Sequence, residues 1–177
     1  MPLNYLNLDA RTRGFMVEEI DLAVRENRLY ISRFLTPRGQ QEWPVLLRAA
    51  AANGTDGTLA AQLTPGSQLE RSYTKRTPKG NITTSAVPVT APETMAEGEF
   101  NRFYVQGLCR RAIEDKIPQL IVYRAKSVMH PRPESEKKLG TGIDPQTLLD
   151  DLRASPGLEP SLGLPPGPNS GLSVRLP

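Results

Sequence analysis

A long amphipathic helix followed directly by a buried strand restricts the fold of this chain more than any other feature. Thr94 to Glu97 has the Ser/Thr-x-x-Glu pattern of a capping box, which predicts a helix from Met95 to about Lys116. Its predicted apolar stripe comprises Phe100, Tyr104, Leu108 and Ala112, widened by Phe103 and Ile113. Pro118 ends the helix, and residues 119–125 read as a buried strand. We therefore expect an α+β fold with a small sheet.

The first 65 residues predict short helices separated by turn residues. Asp9 predicts the cap of a helix from Ala10 to Asn27. Its predicted buried stripe comprises Met16, Ile20, Ala23 and Val24. Residues 28–35 predict a short strand because of their β-branched and aromatic content.

Proline and glycine set the boundaries of the next two predicted helices. Thr36 and Pro37 predict a helix N-terminus, and Pro44 predicts a break before a clear helix over 45–52. Residues 58–63 predict a further helical turn. These early elements carry no recognisable chemical motif.

Residues 67–90 predict a β-hairpin that projects from the body. Its strands cover 69–76 and 82–89, joined by a turn with proline second and glycine fourth. Pro88 restricts the second strand to an edge or ends it. Lys75, Arg76 and Lys79 form a basic tip, which we expect to contact a partner.

The C-terminal region predicts one more helix and then an extended arm. The helix runs from Pro145 to about Ala154, capped by Asp144. The arm, 155–177, contains 6 Pro, 4 Gly and 5 Leu, which favours extended backbone. Its expected partner-binding residues are apolar: Leu162, Leu164, Leu172, Val174 and Leu176. Three alternatives stay open: the arm lies on its own domain, docks on a neighbouring subunit, or is disordered.

These elements predict one α+β domain over 1–154, followed by the arm over 155–177. The small sheet with its hairpin would be packed by three to four helices. No apolar run approaches the length of about 20 residues that spans a bilayer, so we expect no membrane contact. We expect no secretory signal, since the first residues lack a basic stretch followed by an apolar one.

The positive charge is concentrated in the middle of the chain. Residues 71–138 carry 13 basic and 7 acidic side chains, whereas the whole chain has a net charge of +3. This distribution is typical either of a solvated basic face or of a surface that contacts nucleic acid or an acidic protein. The candidate cations are Lys75, Arg76, Lys79, Arg102, Arg110, Arg111, Arg124 and Lys126.

Catalytic, cofactor and metal motifs are not recognisable in the sequence. Neither glycine-rich nucleotide motif occurs, and one cysteine with one histidine cannot form a zinc site. We expect His130 to be an exposed loop residue and Cys109 a buried, inert thiol. An endonuclease-like strand would need an acid at position 124, where Arg124 stands two residues before Lys126. We therefore expect no enzymatic activity, no cofactor and no metal.

Four segments resemble proteins encoded by tailed bacteriophages and prophages. They are residues 100–105, residues 123–126, residues 131–136 and the closing stretch 163–171. The resemblance implies a virion component of the capsid, decoration or head–tail connector type, made in the cytoplasm of a bacterial host. It assigns no functional residue.

Two functional hypotheses follow from the sequence. The first is a non-enzymatic structural subunit of a larger assembly, most simply a phage virion, that docks on copies of itself and on other particle proteins. The alternative is a small basic DNA-binding or host-directed regulatory protein that uses residues 71–126.

Overall fold

The computed structural model describes residues 2–156 and 171–177. In those ranges the chain forms six helices and five strands. In chain order they are α1 (Ala10–Arg25), α2 (Pro37–Asn53), α3 (Asp56–Gln62), β1 (Ser72–Arg76), β2 (Ile82–Ala86), α4 (Ala91–Glu114), β3 (Leu120–Arg124), α5 (Pro133–Glu136), β4 (Gly142–Ile143), α6 (Pro145–Ala154) and β5 (Leu172–Arg175). The two small sheets are antiparallel, so the predicted α+β class is confirmed.

Helix α4 lies at the centre of the fold. It packs against α1, α2, α3, α6 and β5. Residues 99–109 of α4 are all buried, polar side chains included. Gly107 permits the close approach of α1, because a Cβ there would lie 3.0 Å from the Met16 nitrogen and from the Thr12 carbonyl oxygen. The helix therefore functions as an internal core element and not as an amphipathic surface helix.

The larger sheet has the strand order β4-β3-β5. In the β3–β5 pair, Val122 lies opposite Val174 and Arg124 lies opposite Leu172. Leu172 and Val174 belong to the hydrophobic core with the buried residues of α4. The sheet thus closes the core on the side that the C-terminal residues cover.

Two hydrogen bonds from α4 fix the position of β5. The Asn101 amide donates to the Leu172 carbonyl oxygen at 2.9 Å, and the Ser173 hydroxyl donates to Asn101 Oδ1 at 2.7 Å. Both side chains are buried. Since a buried polar group is costly without a partner, a shift in register would be unfavourable.

The described end of the predicted arm lies on its own domain. Leu172 and Val174 are buried there, and Leu176 packs half-buried against the core. Leu162 and Leu164 lie outside the described residues. The core therefore extends past residue 154, the boundary expected from the sequence, and includes Leu172 and Val174.

Three helix caps and the hairpin are confirmed. Asp9, Thr36 and Asp144 accept backbone hydrogen bonds at the N-termini of α1, α2 and α6. In the hairpin turn, Gly80 N donates to the Thr77 carbonyl at 2.8 Å, and Gly80 has a left-handed φ of 84°. A glycine meets that requirement without strain.

The prediction of a capping box at Thr94 is wrong. Helix α4 begins at Ala91 and is preceded by Thr90, whose side chain makes no capping bond. Pro92 lies in the first turn, where its fixed φ and missing N–H are tolerated. The helix therefore begins about one turn earlier than predicted, and Thr94 N instead donates to the Thr90 carbonyl.

Two further predictions in the N-terminal half are wrong. Residues 28–32 are irregular and residues 33–34 form a turn, while Leu35 makes only an isolated bridge to Leu69, so no ladder forms. Pro44 does not break α2, in which Trp43 and Leu47 are buried on either side of it. Burial of these large apolar side chains offsets the hydrogen bond lost at the proline.

Two residues of the predicted apolar stripes are exposed and not buried. Val24 is 44% exposed and Ile113 is 39% exposed. Each stands at the edge of its stripe near the end of its helix. The other stripe residues of both helices are buried.

Val174→Ala tests the role of β5 in the core. The side chain is fully buried, so losing two methyl groups should lower the free energy of unfolding by about 2 kcal/mol. Val89→Ala is the matched control, because that side chain is 92% exposed and should change stability by less than about 0.5 kcal/mol. Urea unfolding measures both. Equal effects would show that β5 does not contribute to the core.

Candidate functional site

The hairpin forms a two-stranded ribbon that extends away from the core. Strands β1 and β2 pair only with each other, in the register that places Ser72 opposite Ala86 and Arg76 opposite Ile82. All ten strand residues are exposed except Tyr73 and Ser85, which are half-buried. We call residues 71–89 the basic ribbon. Both of its faces are open to solvent along most of its length.

Aromatic stacking anchors the base of the basic ribbon. The Tyr73 ring packs edge-on against Phe34 with a centroid distance of 5.0 Å. The Arg33 guanidinium lies 4.7 Å from the Tyr73 centroid and 5.3 Å from the Phe34 centroid. Glu70 N also donates to the Phe34 carbonyl at 2.8 Å. The base is thereby fixed to the body, while the strands beyond Tyr73 remain exposed.

The basic ribbon has four positive charges and no negative one. Residues 71–92 include no Asp or Glu. Within the described ranges, none of the ribbon's basic side chains forms an ion pair, and neither does Arg33 beside them. The ribbon cations are Arg71, Lys75, Arg76 and Lys79. Among the described residues, no carboxylate compensates their charge.

The cations point to different sides of the basic ribbon. Side chains alternate between the faces of a strand, so Lys75 shares a face with Tyr73, and Arg76 lies on the opposite face. Lys79 is exposed in the turn at the tip. Charge is thus presented on both faces and at the end.

The other predicted cations form ion pairs or hydrogen bonds within the domain. Arg110 bonds to Glu19 at 2.7 Å and Arg111 bonds to Asp9 at 2.6 Å. Lys126 pairs with Glu97, and Arg124 pairs with Glu136. Arg102 is buried and donates to the Leu152 carbonyl. The continuous basic surface over 71–126 that the sequence indicated is therefore reduced to the ribbon.

Sequence reasoning missed two cations of this surface. Arg71 was not counted with the hairpin tip, although it directly precedes β1. Arg33 fell in a predicted strand that does not form, and only the fold brings it to Tyr73. No local pattern could have connected residue 33 with residue 73.

Cys109 and His130 lie where the sequence predicts them. Cys109 is fully buried in α4, and burial raises the pKa of its thiol well above the ordinary range. His130 is exposed in the loop before α5. Within the described ranges, no group of three or more His, Cys, Asp or Glu side chains could hold a metal ion.

A pocket of about 370 Å³, lined by apolar residues and three carboxylates, lies beside the N-terminal segment, α3 and α4. Asp56 is buried at its wall and accepts a hydrogen bond from Leu3 N at 2.9 Å. Burial raises the pKa of Asp56 and of nearby Tyr5. Glu97, also at the wall, pairs with Lys126. These contacts tie the N-terminal segment to the core and give the carboxylates a structural use.

Buried charges also connect α4 with its neighbours. Glu19 of α1 is bound by Arg110 and by Arg153 of α6, at 2.7 and 2.6 Å. Within α4 itself, Glu99 lies 4.0 Å from Arg102, and burial raises the pKa of Glu99 to about 7. These groups lie between packed helices, away from the basic ribbon, and we interpret them as structural.

No protein family, curated protein or solved structure matches this chain in comparisons with known proteins. Among the helices of the described ranges, none is both long and apolar enough to cross a membrane. The basic ribbon is therefore selected as the candidate site from its geometry and charge alone.

Glu99→Gln tests the buried Glu99–Arg102 pair. Between about pH 4.5 and 7 the folded chain keeps a proton on Glu99 that the unfolded chain has released, so stability falls as pH rises through that window. A shift from 4.5 to about 7 corresponds to a loss of about 3 kcal/mol. The Gln variant should lack this decline.

Urea unfolding between pH 4.5 and 8 measures the effect. Glu93→Gln, an exposed substitution on the same helix, is the matched control. If the free energy of unfolding changed with pH in the same way for the natural chain and for Glu99→Gln, Glu99 would not be the cause of the decline.

Proposed function

We propose that the chain is a non-enzymatic structural subunit of a larger assembly and that it docks through its basic ribbon. The observation that carries this proposal is a ribbon that is exposed on both faces and, among the described residues, is anchored at its base. A two-stranded hairpin alone is marginally stable in water. Its exposed edges are also places where other chains can pair. Such an element is best explained by a partner that it contacts.

The ribbon contributes little to the fold that carries it. Its strands beyond Tyr73 contain no core residue, and Ile82 is 70% exposed. The body has its own core, formed mainly by α4 and the elements around it. We therefore assign to the ribbon a role in contact with other molecules.

The setting we propose is a virion of a tailed bacteriophage, assembled in the bacterial cytoplasm. Its support is the sequence resemblance of residues 100–105, 123–126, 131–136 and 163–171 to virion components. The expected partners are other particle proteins, copies of this chain and nucleic acid that contacts the basic middle region. Leu162 and Leu164 remain proposed partner contacts, whereas Leu172 and Val174 are already occupied within the domain.

A variant with a shortened ribbon separates docking from folding. Thr74 to Thr84 are replaced by Asn-Gly, which joins Tyr73 to its partner Ser85 through a two-residue turn. The free energy of unfolding should change by less than about 1 kcal/mol, because the removed residues lie outside the core. Sedimentation in extracts of cells that make the chain with its natural partners measures docking.

The natural chain should sediment in a complex much heavier than its own 19.5 kDa, and the shortened variant should not. Val89→Ala, which changes an exposed side chain but leaves the ribbon intact, serves as the control. A monomeric natural chain, or a heavy complex that survives shortening, would contradict the proposal.

A further inference from the structure

We propose that the basic ribbon binds the groove of duplex DNA. This inference rests on the proposed docking role of the ribbon and names the partner. Five cations carry it: Arg33, Arg71, Lys75, Arg76 and Lys79. In the described ranges none of them is compensated by a carboxylate.

The charge of the ribbon determines the charge of its partner. With no acidic residue between 71 and 92, two copies of the ribbon would repel each other if they paired edge to edge. An anionic partner gains from every cation that it approaches. The ribbon is therefore suited to a dense array of negative charge, such as a phosphate backbone.

The arrangement of the cations favours a groove over a flat surface. Lys75 and Arg76 lie on opposite faces, and Lys79 lies at the tip. A flat acidic protein patch can approach one face at a time. The walls of a DNA groove carry phosphates on both sides of an inserted element, so all three cations can be neutralised together.

The dimensions of the ribbon fit the major groove of B-form DNA. Five residues at about 3.4 Å each give strands of about 17 Å. The major groove is about 12 Å wide and admits a two-stranded β-ribbon. The major groove of A-form RNA is too deep and narrow for side chains to read, which favours DNA.

The uncharged side chains of the ribbon are consistent with phosphate contact. Six of them are small hydroxyl residues, which donate hydrogen bonds to phosphate oxygens. The ribbon's only aromatic ring, Tyr73, is already packed by Phe34 and Arg33 at the base. Stacking on unpaired bases is therefore not supported, and binding through the duplex backbone is. The small hydroxyl residues are Ser72, Thr74, Thr77, Thr83, Thr84 and Ser85.

The experiment measures fluorescence anisotropy of a labelled 20-base-pair DNA duplex with the purified full chain. Each neutralised phosphate contributes about −0.9 to the slope of log affinity against log salt, so five cations predict about −4.5. Affinity should fall by roughly 100-fold or more between 50 and 200 mM salt. The variant is Lys75→Glu, Arg76→Glu and Lys79→Glu combined.

The triple variant should lose at least tenfold in affinity at 50 mM salt, and its slope should become shallower by about three. The matched control is Arg25→Glu, Lys116→Glu and Lys137→Glu combined. These cations are also exposed and, within the described ranges, form no ion pair. The control carries the same change of net charge, so it should retain most of the affinity. Unfolding curves check that both variants fold.

Three outcomes would overturn the inference. The first is no duplex binding at 50 mM salt with 100 µM protein. The second is an equal loss of affinity in the control variant. The third is equally effective competition by polyglutamate at the same charge concentration, which would identify an acidic protein surface as the partner.

Nuclease treatment of the heavy complex separates this inference from the proposed function. A complex that requires the ribbon and dissociates with nuclease supports both. A complex that requires the ribbon but survives nuclease keeps the docking role and overturns the DNA partner. A natural chain found only as a monomer overturns the docking role itself.

Discussion

The burial of α4 on all sides determines how the rest of the chain is arranged. A helix with polar residues on most of its faces is stable inside a fold only when its neighbours supply partners for most of them. Asn101 binds β5, Arg102 binds the end of α6, and Arg110 reaches α1. Gly107 lets the α1 backbone approach closely. The polar residues of this helix therefore organise the packing and are not free for a surface function.

Local chemistry made several elements predictable, and tertiary packing decided the others. Caps at Asp9 and Asp144 and the glycine turn of the hairpin depend on neighbouring residues, so the pattern was sufficient. The strand over 28–35 failed because a strand also requires a partner, which propensity does not supply. Helix α4 begins earlier than the capping pattern at Thr94 predicted, because Pro92 is also favoured in the first turn of a helix and the helix begins there instead.

Part of the candidate site could be predicted from the sequence, because that part also depends on residues that are neighbours in the chain. Lys75, Arg76 and Lys79 belong to one hairpin, and a local pattern was enough to place them together. Most of the basic residues in helices and strands form ion pairs with acidic residues that are distant in the sequence. Arg110 pairs with Glu19 and Arg111 pairs with Asp9. Such pairs cancel charge that composition alone would assign to the surface. Net charge therefore overstated the extent of the basic region.

A cut in the chain before β5 would separate this strand from the rest of the domain. Residues 171–177 sit beside β3, and Asn101 binds their backbone and the Ser173 side chain. The covalent route to them passes through residues 157–170, whereas their contacts are to other parts of the domain. A chain cut within that route would consist of a large fragment with an open sheet edge and a C-terminal peptide that contains β5, the strand that pairs with this edge. The domain thus contains a natural receptor–peptide pair, suited to complementation between separately made fragments.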